Sequence, residues 1–342
     1  MDSPRRFRSV AFLVDPSMYA EAYAPPRDVY GDLDRVIRTD LYYHYSTPIC
    51  AQRWLDVCED PAYGHKALLD RVRDVMPRVV AALREDGGGR SAVELCSLGP
   101  GDGSVDERML EGLAEGFSVR GYTGLDFSFE LLRRSVHRLA QSPDLPQDLS
   151  IRAVCGDFTD LSAVTLGARA PDAFRVFGLT GFTFGNYPET DLLQNIGGLM
   201  EEGDYLFFDA RLHGLGPLPD DLAPVQSAME RTQASYDVAS VRSFVTGPLE
   251  VATTQSGAPA AVSYELARSL TTIPNALNLV IYCTGLDATL RLTGERIRRD
   301  RVDLAVTTSY HLPDLVAWIR GSGFTLVWDR SVGDVAFFLL RK

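Results

Sequence analysis

A strand that runs into closely spaced glycines is the first feature of this chain that could do chemistry. Residues 94–104 read Glu-Leu-Cys-Ser-Leu-Gly-Pro-Gly-Asp-Gly-Ser, which places glycines at Gly99, Gly101 and Gly103. Glycine lets the backbone approach a ligand closely, and the start of a following helix offers free N–H groups. A tight turn without a ligand is the alternative for this motif taken alone.

The spacing of these glycines bears on which nucleotide could bind. A dinucleotide fingerprint, G-x-G-x-x-G, would place its last glycine at position 104, which is Ser104 here. The spacing is G-x-G-x-G instead, and we interpret it as favouring S-adenosylmethionine over NAD.

Acidic residues close the next two predicted strands. Asp126 ends the sequence Gly-Leu-Asp, where a carboxylate can accept both hydroxyls of a ribose. Asp157 and Phe158 follow the third strand, where the acid can bond an adenine amino group and the ring can stack on the base. Helix capping is the alternative for Asp126, and turn capping for Asp157. Three such elements on consecutive strands favour an adenosine ligand.

A glycine and aromatic run, residues 178–188, follows the fourth predicted strand. Ligands of open α/β sheets bind outside the carboxyl ends of the strands, so we expect this run to face the crevice where a transferred group would lie. Aromatic faces attract sulfonium and methylated ammonium groups. Phe182 in this run, and Tyr42 and Tyr43 near the N-terminus, are therefore candidate walls of a substrate pocket, with packing between lobes as the alternative. His44 could accept a proton or be structural.

The elements that position these residues alternate regularly after residue 91. We predict helices at about 104–115, 128–140, 189–200 and 313–320, and strands at 92–98, 120–125, 151–156, 174–179, 204–209, 325–329 and 335–340. Strands separated by helices of this length form a parallel sheet covered on both faces. Only residues 330–334 separate the last two strands, so these must pair antiparallel. The prediction is an α/β fold with a mostly parallel seven-stranded sheet and one antiparallel strand.

Four segments make up the predicted organisation. Residues 1–85 form a mostly helical part of a substrate lobe, and residues 91–210 a Rossmann-like nucleotide-binding domain. Residues 211–308, where the regular alternation is lost, complete the substrate lobe, because nearly a hundred residues are too many for a loop. Residues 309–342 add a terminal helix and a hairpin to the sheet.

With these motifs in place, the sequence resembles the histidine N-alpha-methyltransferase family of class I S-adenosylmethionine-dependent enzymes, of the ergothioneine-pathway type. Leu98–Gly103 is similar to the family's Leu-Gly-Pro-Gly-Asp-Gly turn, and Gly181–Asn186 to its Gly-x-x-x-Gly-Asn run; the likeness covers most of residues 40–342. It implies a class I methyltransferase fold in which Asn186 and Tyr236 bind the substrate's carboxylate. It also implies a cofactor site made of Gly99, Gly101, Asp126, Asp157 and Phe158.

The chain departs from the family at three places. Ser97 replaces the acid two residues before the first glycine, with Glu94 three positions upstream. Thr246 and Pro248 stand where asparagines are expected. Alignment before the last helix places Ala305 and Thr307 at the family's imidazole-reading Glu and Ser. Without that carboxylate we expect an amino acid or small amine other than histidine, in secondary metabolism.

Composition excludes several classes of function. The chain has 342 residues, 45% hydrophobic and 23% charged, which is typical of a globular protein. A net charge of −12 repels nucleic acids and anionic membranes. The one basic run, residues 291–301, carries interleaved acids and predicts a self-paired solvated face. Five dispersed cysteines indicate reduced thiols without a metal site, and with no apolar span we expect a cytoplasmic protein.

These inferences predict an S-adenosylmethionine-dependent N-methyltransferase acting on the amino group of an amino acid or related small molecule, with no metal. The alternatives are an O-methyltransferase or another enzyme on the same cofactor scaffold, and a non-catalytic nucleotide- or metabolite-binding protein.

Overall fold

The computed structural model describes residues 8–14, 42–45, 47–158, 166–167, 169–170, 172–223, 225, 233–234, 236–255, 261–269, 271–291 and 294–342. Two compact units divide them. The first contains the described residues of Met1–Asp15, Ala67–Ala210 and Val316–Lys342, and the second those of Pro16–Lys66 and Arg211–Leu315. The predicted segments 1–85 and 309–342 are each divided between the two units.

The described residues contain the following helices and strands, in chain order. The helices are α1 (Tyr42–Tyr45), α2 (Pro48–Glu59), α3 (His65–Asp86), α4 (Ser104–Ala114), α5 (Phe129–Gln141), α6 (Glu189–Leu199), α7 (Ala239–Ala252) and α8 (Leu312–Arg320). The strands are β1 (Val10–Val14), β2 (Ala92–Leu98), β3 (Ser118–Asp126), β4 (Ser150–Cys155), β5 (Ala173–Leu179), β6 (Tyr205–Arg211), β7 (Thr253–Gln255), β8 (Ala261–Arg268), β9 (Leu277–Leu290), β10 (Arg296–Ser309), β11 (Thr325–Val332) and β12 (Val335–Arg341).

An eight-stranded sheet forms the core of the first unit, in the order β1-β4-β3-β2-β5-β6-β12-β11. Neighbouring strands along the part β1-β4-β3-β2-β5-β6 of this order pair in parallel. Every residue of β5 and β6 is buried, as expected for central strands covered on both faces. The strand order reverses between β2 and β5, which is the switch point where open sheets of this kind form a crevice.

The terminal hairpin supplies the antiparallel strand, as predicted. β11 and β12 pair antiparallel. The Lys342 N–H donates to the Asp204 carbonyl at 3.1 Å, and the Gly203 N–H donates to the Lys342 carbonyl at 3.2 Å. The end of β12 therefore lies beside the start of β6, so β12 runs against the other strands.

The prediction of seven strands was wrong by one strand, and residues 10–14 are not helical. β1 pairs in parallel with β4, with Val10 opposite Ile151 and Val14 opposite Cys155. The buried Arg8 guanidinium just before β1 donates to five backbone carbonyls that end or follow α5, those of Leu139, Ala140, Ser142, Leu145 and Pro146. No local pattern in the sequence indicates this long-range anchor.

The second unit contains a smaller antiparallel sheet that the sequence analysis did not predict. β9 pairs with β10, β7 and β8. Buried and half-exposed positions alternate along β9, starting at Leu277. The apolar run from Leu277 to Cys283, which is rich in Leu, Val, Ile and Tyr and interrupted by Asn278, is the signal that could have revealed this strand.

Candidate functional site

The glycine turn after β2 has the backbone that only glycine adopts readily. Gly99, Gly101 and Gly103 have φ values of 73°, 56° and 79°. Gly103 also precedes α4 directly, and a Cβ atom there would lie 2.7 Å from the Ser135 Oγ of α5. These glycines are therefore required by conformation, and Gly103 by close packing as well.

Asp126 lies at the carboxyl end of β3, next to this turn. Its Oδ1 accepts the Ser128 N–H at 2.8 Å, and it also bonds with the backbone of Gly101. Burial raises the pKa of Asp126 to about 7, although these bonds favour the carboxylate. The side chain that caps α5 is Ser128, whose Oγ accepts the Leu131 N–H, so Asp126 does not serve as that cap. Its carboxylate is tied to the glycine turn.

Phe158, which follows β4, lies beside the same glycine turn. Its ring is buried, and its Cε1 lies 3.7 Å from the position of a Cβ on Gly99. The Tyr187 ring contacts it edge-on, with centroids 5.6 Å apart. Asp157 beside it is half-buried. The sequence-predicted residues Gly99, Gly101, Asp126 and Phe158 therefore lie in one linked cluster at the carboxyl ends of β2, β3 and β4.

A buried carboxylate beneath the turn was missed by the sequence analysis. Asp106, in the first turn of α4, accepts the Ser97 Oγ–H at 2.8 Å and the Tyr122 Oη–H at 2.6 Å. Burial raises the pKa of Asp106 to about 6. Ser97, the position where the resembled family has an acid, thus binds an acid supplied by the next helix. In sequence, Asp106 has only the pattern of a first-turn helix residue.

Glu94 does not substitute for the acid that Ser97 replaces. Its carboxylate accepts the Arg175 Nε–H and the Ala170 N–H, both at 3.1 Å. Arg175 is buried, and its own backbone N–H donates to Asp204 at 2.9 Å. These residues belong to the amino-terminal ends of β2, β5 and β6, at the opposite edge of the sheet from the glycine turn.

The run after β5 folds into a short 3-10 turn, Thr183–Asn186, preceded by two left-handed residues. Gly181 and Phe182 have φ values of 79° and 63°. Their N–H groups donate to the two carboxylate oxygens of buried Asp209, at 3.1 and 2.8 Å. Asn186 ends the turn half-buried. Asp209 was not predicted, because only the fold brings the end of β6 beside this run.

The remaining predicted substrate residues belong to the second unit. Tyr42 and Tyr43 lie on α1, but their side chains are outside the described part of the structure. Tyr236 is buried, with the Arg211 guanidinium 5.2 Å from its ring centroid and the Tyr63 ring edge-on to it at 5.9 Å. Arg211 places a cation beside the tyrosine for which we predicted a carboxylate contact.

His44 is buried and packs against an aromatic ring. Its ring centroid lies 5.4 Å from that of Phe244, which also contacts Tyr45 and Trp54. Burial lowers the pKa of His44 to about 4. This environment keeps the imidazole neutral and fits a packing role as well as it fits a proton acceptor.

Further features of the described residues concern metal ligands, membrane spans, thiols and surface charge. They contain no group of three or more His, Cys, Asp or Glu that could hold a metal ion. Their helices are all too short or too polar to cross a bilayer. All five cysteines are free thiols. Arg296, Arg298 and Arg301 of β10 pair with Asp287, Asp303 and Glu265. Of these three acids, Asp303 is one of the interleaved acids of the predicted self-paired face, whereas Asp287 and Glu265 lie on β9 and β8.

Comparison with known proteins gives fold-level likenesses. No protein-family model matches the chain, and a search of curated proteins finds no match. A S-adenosylmethionine-dependent methyltransferase from Clostridium acetobutylicum is 10% identical, with a TM-score of 0.37 over 77% of this chain and 88% of that one. The CcbJ methyltransferase from Streptomyces caelestis is 14% identical, with a TM-score of 0.34 over 78% and 94%.

A third solved structure is the glycopeptide N-methyltransferase MtfA with S-adenosyl-L-homocysteine. It is 13% identical, with a TM-score of 0.37 over 77% of this chain and 86% of that one. None of the three is described as a histidine N-alpha-methyltransferase, so the finer resemblance stays a prediction. At this level of similarity, the functional conclusion has to come from the chain's own residues.

Proposed function

We propose that this protein is a S-adenosylmethionine-dependent N-methyltransferase that acts on the amino group of an amino acid or related small molecule. The observation that carries the proposal is the cluster at the carboxyl edge of the sheet. There the Asp126 carboxylate bonds with Gly101, and the Phe158 ring lies beside Gly99. A carboxylate for a ribose, an aromatic ring for a base and a closely approachable backbone together fit an adenosine.

The cluster also argues against a dinucleotide. A dinucleotide turn needs its last glycine where the helix packs closely on the strand. Position 104 here is Ser104, whose Oγ donates to Asp102 at 2.5 Å. Gly103 instead makes a close contact with Ser135 of the neighbouring helix α5. The turn is therefore built on the G-x-G-x-G spacing that favours S-adenosylmethionine.

When bound, S-adenosylmethionine supplies an activated methyl group. The residues of the chain would bind and orient the cofactor and the acceptor and exclude water from the site. Alignment of reactants can lower an activation barrier by about 7 to 11 kcal/mol. We assign the cofactor to Gly99, Gly101, Asp126, Asp157 and Phe158. Phe182 would form an apolar wall that favours the neutral form of an amine.

The proposed acceptor carries a carboxylate as well as an amine. Asn186 and Tyr236 are the residues that we propose for the carboxylate, with Tyr42 and Tyr43 as further substrate contacts. The Arg211 cation over Tyr236 supports an anionic partner there. An acceptor other than histidine, a role in secondary metabolism and a cytoplasmic location are parts of the same proposal. Methylation of oxygen is the second candidate on the same cofactor site.

Calorimetry tests the cofactor half of the proposal. The wild-type chain is expected to bind S-adenosylhomocysteine, and to bind NAD at least tenfold more weakly. Asp126→Ala should lower the affinity for S-adenosylhomocysteine by about tenfold to a hundredfold, because hydrogen bonds to a charged group are lost. Glu94→Gln, at the other edge of the sheet, is the matched control. Binding of NAD without S-adenosylhomocysteine would overturn the proposal.

A panel of amino acids and amines tests the acceptor half. Each is incubated with S-adenosylmethionine, and the product is examined by mass spectrometry for replacement of one hydrogen by a methyl group. Fragmentation then places the methyl on nitrogen or oxygen. Methylation of histidine above all other acceptors would contradict the inference from Ala305 and Thr307.

A further inference from the structure

The turn after β5 is fixed at three points, all within the first unit. At its start, Asp209 accepts the N–H groups of Gly181 and Phe182. In its middle, the buried Phe184 ring packs on Phe208 at 4.6 Å and on Trp318 at 6.2 Å between centroids. At its end, Tyr187 contacts Phe158. A turn with so many anchors holds one conformation.

The first anchor acts against the preference of the backbone. Phe182 has a φ of 63°, a conformation that costs a residue with a Cβ of order 1 kcal/mol or more. Asp209 uses both carboxylate oxygens, at 2.8 and 3.1 Å, to bind two successive N–H groups in this region. The strained arrangement is therefore imposed by a residue that lies on a different strand.

Strand order places this turn at one end of the crevice. Phe158 follows β4 and Asp126 ends β3, whereas the Asp209-held turn follows β5 on the far side of the glycine turn after β2. Neighbouring strands lie about 4.8 Å apart, so β4 and β5 are separated by roughly 14 Å. A ligand whose adenosine lies over β4 and β3 must extend its other half past β2 toward the turn.

We propose that Asp209 is a positioning residue, and that the Gly181–Phe182 backbone it holds binds the amino-acid half of S-adenosylmethionine, which is the part beyond the ribose and the base. This inference rests on the proposed function, because it takes Asp126 and Phe158 as the site of the adenosine. Asp209 acts through the turn and not on the ligand. By fixing the turn, Asp209 preforms the surface that the ligand groups beyond the ribose would contact.

Two ligands that differ only by the amino-acid half provide the test. S-adenosylhomocysteine and adenosine are titrated by calorimetry into the wild-type chain, Asp209→Asn and Asp204→Asn. Asparagine at 209 has one acceptor oxygen in place of two, so one N–H of the turn loses its partner. We expect the affinity of Asp209→Asn for S-adenosylhomocysteine to fall about tenfold or more, and its affinity for adenosine to change less than about twofold.

Asp204 is a matched control because it is equally buried and lies just before the other end of β6. It accepts the backbone N–H groups of Arg175 and Glu201. Asp204→Asn should not change the ratio of the two affinities. Gly181→Ala is a second variant, since its Cβ meets no atom within 4 Å yet strains a φ of 79°, and it should reproduce the selective loss.

Trp318 gives a readout that needs no ligand. With Trp54→Phe and Trp328→Phe as background, Trp318 is the one tryptophan left of three, and it contacts Phe184 of the turn. Asp209→Asn should shift its emission, while Asp204→Asn should not. Equal loss of both ligands in Asp209→Asn, or no loss of either, would overturn the inference. A wild-type chain that binds neither ligand would overturn the proposed function instead, and the inference with it.

Discussion

The two edges of the central sheet differ in whether arginine side chains bind their carboxylates. At the amino edge, Glu94 and Asp204 are bound by arginine side chains, those of Arg175 at 3.1 Å and Arg169 at 2.7 Å. At the carboxyl edge, Asp126 and Asp209 accept hydrogen bonds from backbone N–H groups of neighbouring turns.

This difference separates structure from function. A carboxylate bound to an arginine has its charge neutralised and closes a buried network, and breaking such a pair is costly. A carboxylate that accepts neutral N–H groups fixes the turns that carry those groups, and its ionised form has lone pairs left for further hydrogen bonds. The amino edge therefore holds the strands together, and the carboxyl edge holds the turns where we propose that the adenosyl ligand binds.

The largest expected effect lies at the amino edge. Arg175→Met leaves the partly exposed Glu94 without its cation and removes the hydrogen bond from the Arg175 guanidinium to the Gly167 carbonyl, so we expect the free energy of unfolding to fall by about 2 to 3 kcal/mol. Urea denaturation measures it. Arg133→Met, which removes an exposed pair with Glu130, should cost less than about 1 kcal/mol. The folded Arg175→Met variant should still bind S-adenosylhomocysteine. A selective loss of that binding would contradict the difference between the two edges.

An intermediate effect is expected from pH at the carboxyl edge. Asp126 has a pKa of about 7. Its ionised form accepts hydrogen bonds from ribose hydroxyls more strongly than its protonated form does. Affinity for S-adenosylhomocysteine should therefore rise with pH by up to about tenfold per unit below pH 7, then level off. Asp126→Asn should bind weakly, with little dependence on pH. Calorimetry from pH 5 to 8 compares the two.

The same proton has the opposite effect on stability. Because the folded pKa of Asp126 lies above its unfolded value, the folded chain binds more protons between about pH 4 and 7, and stability from this group falls as pH rises through that range. Asp126→Asn should lose this component of the pH dependence of unfolding. Equal pH dependence in both proteins would show that Asp126 does not titrate as the structure indicates.

The smallest expected effect concerns one ring at each edge. Phe158→Leu removes the contact with Tyr187 and the face for a base, which should weaken S-adenosylhomocysteine binding by about threefold to tenfold. Phe117→Leu removes a similar edge-on contact with Phe174, at 5.2 Å, near the start of β3. It should destabilise the fold comparably without changing affinity. Equal affinities in the two variants would remove Phe158 from the site.

Sequence alone determined most of the first unit's sheet and the residues at its carboxyl edge. Periodicity and turn residues mark elements such as β2 and α4 locally, and parallel strands joined by helices must end at one edge, which brings Gly99, Asp126 and Phe158 together. Tertiary structure decided the rest. Arg8, Asp106 and Asp209 bind groups of other elements, between 9 and 138 residues away in the chain, and no local pattern encodes such contacts. The edge position of β1 and the sheet of the second unit likewise depend on long-range pairing, because a short apolar strand specifies its face but not its partner.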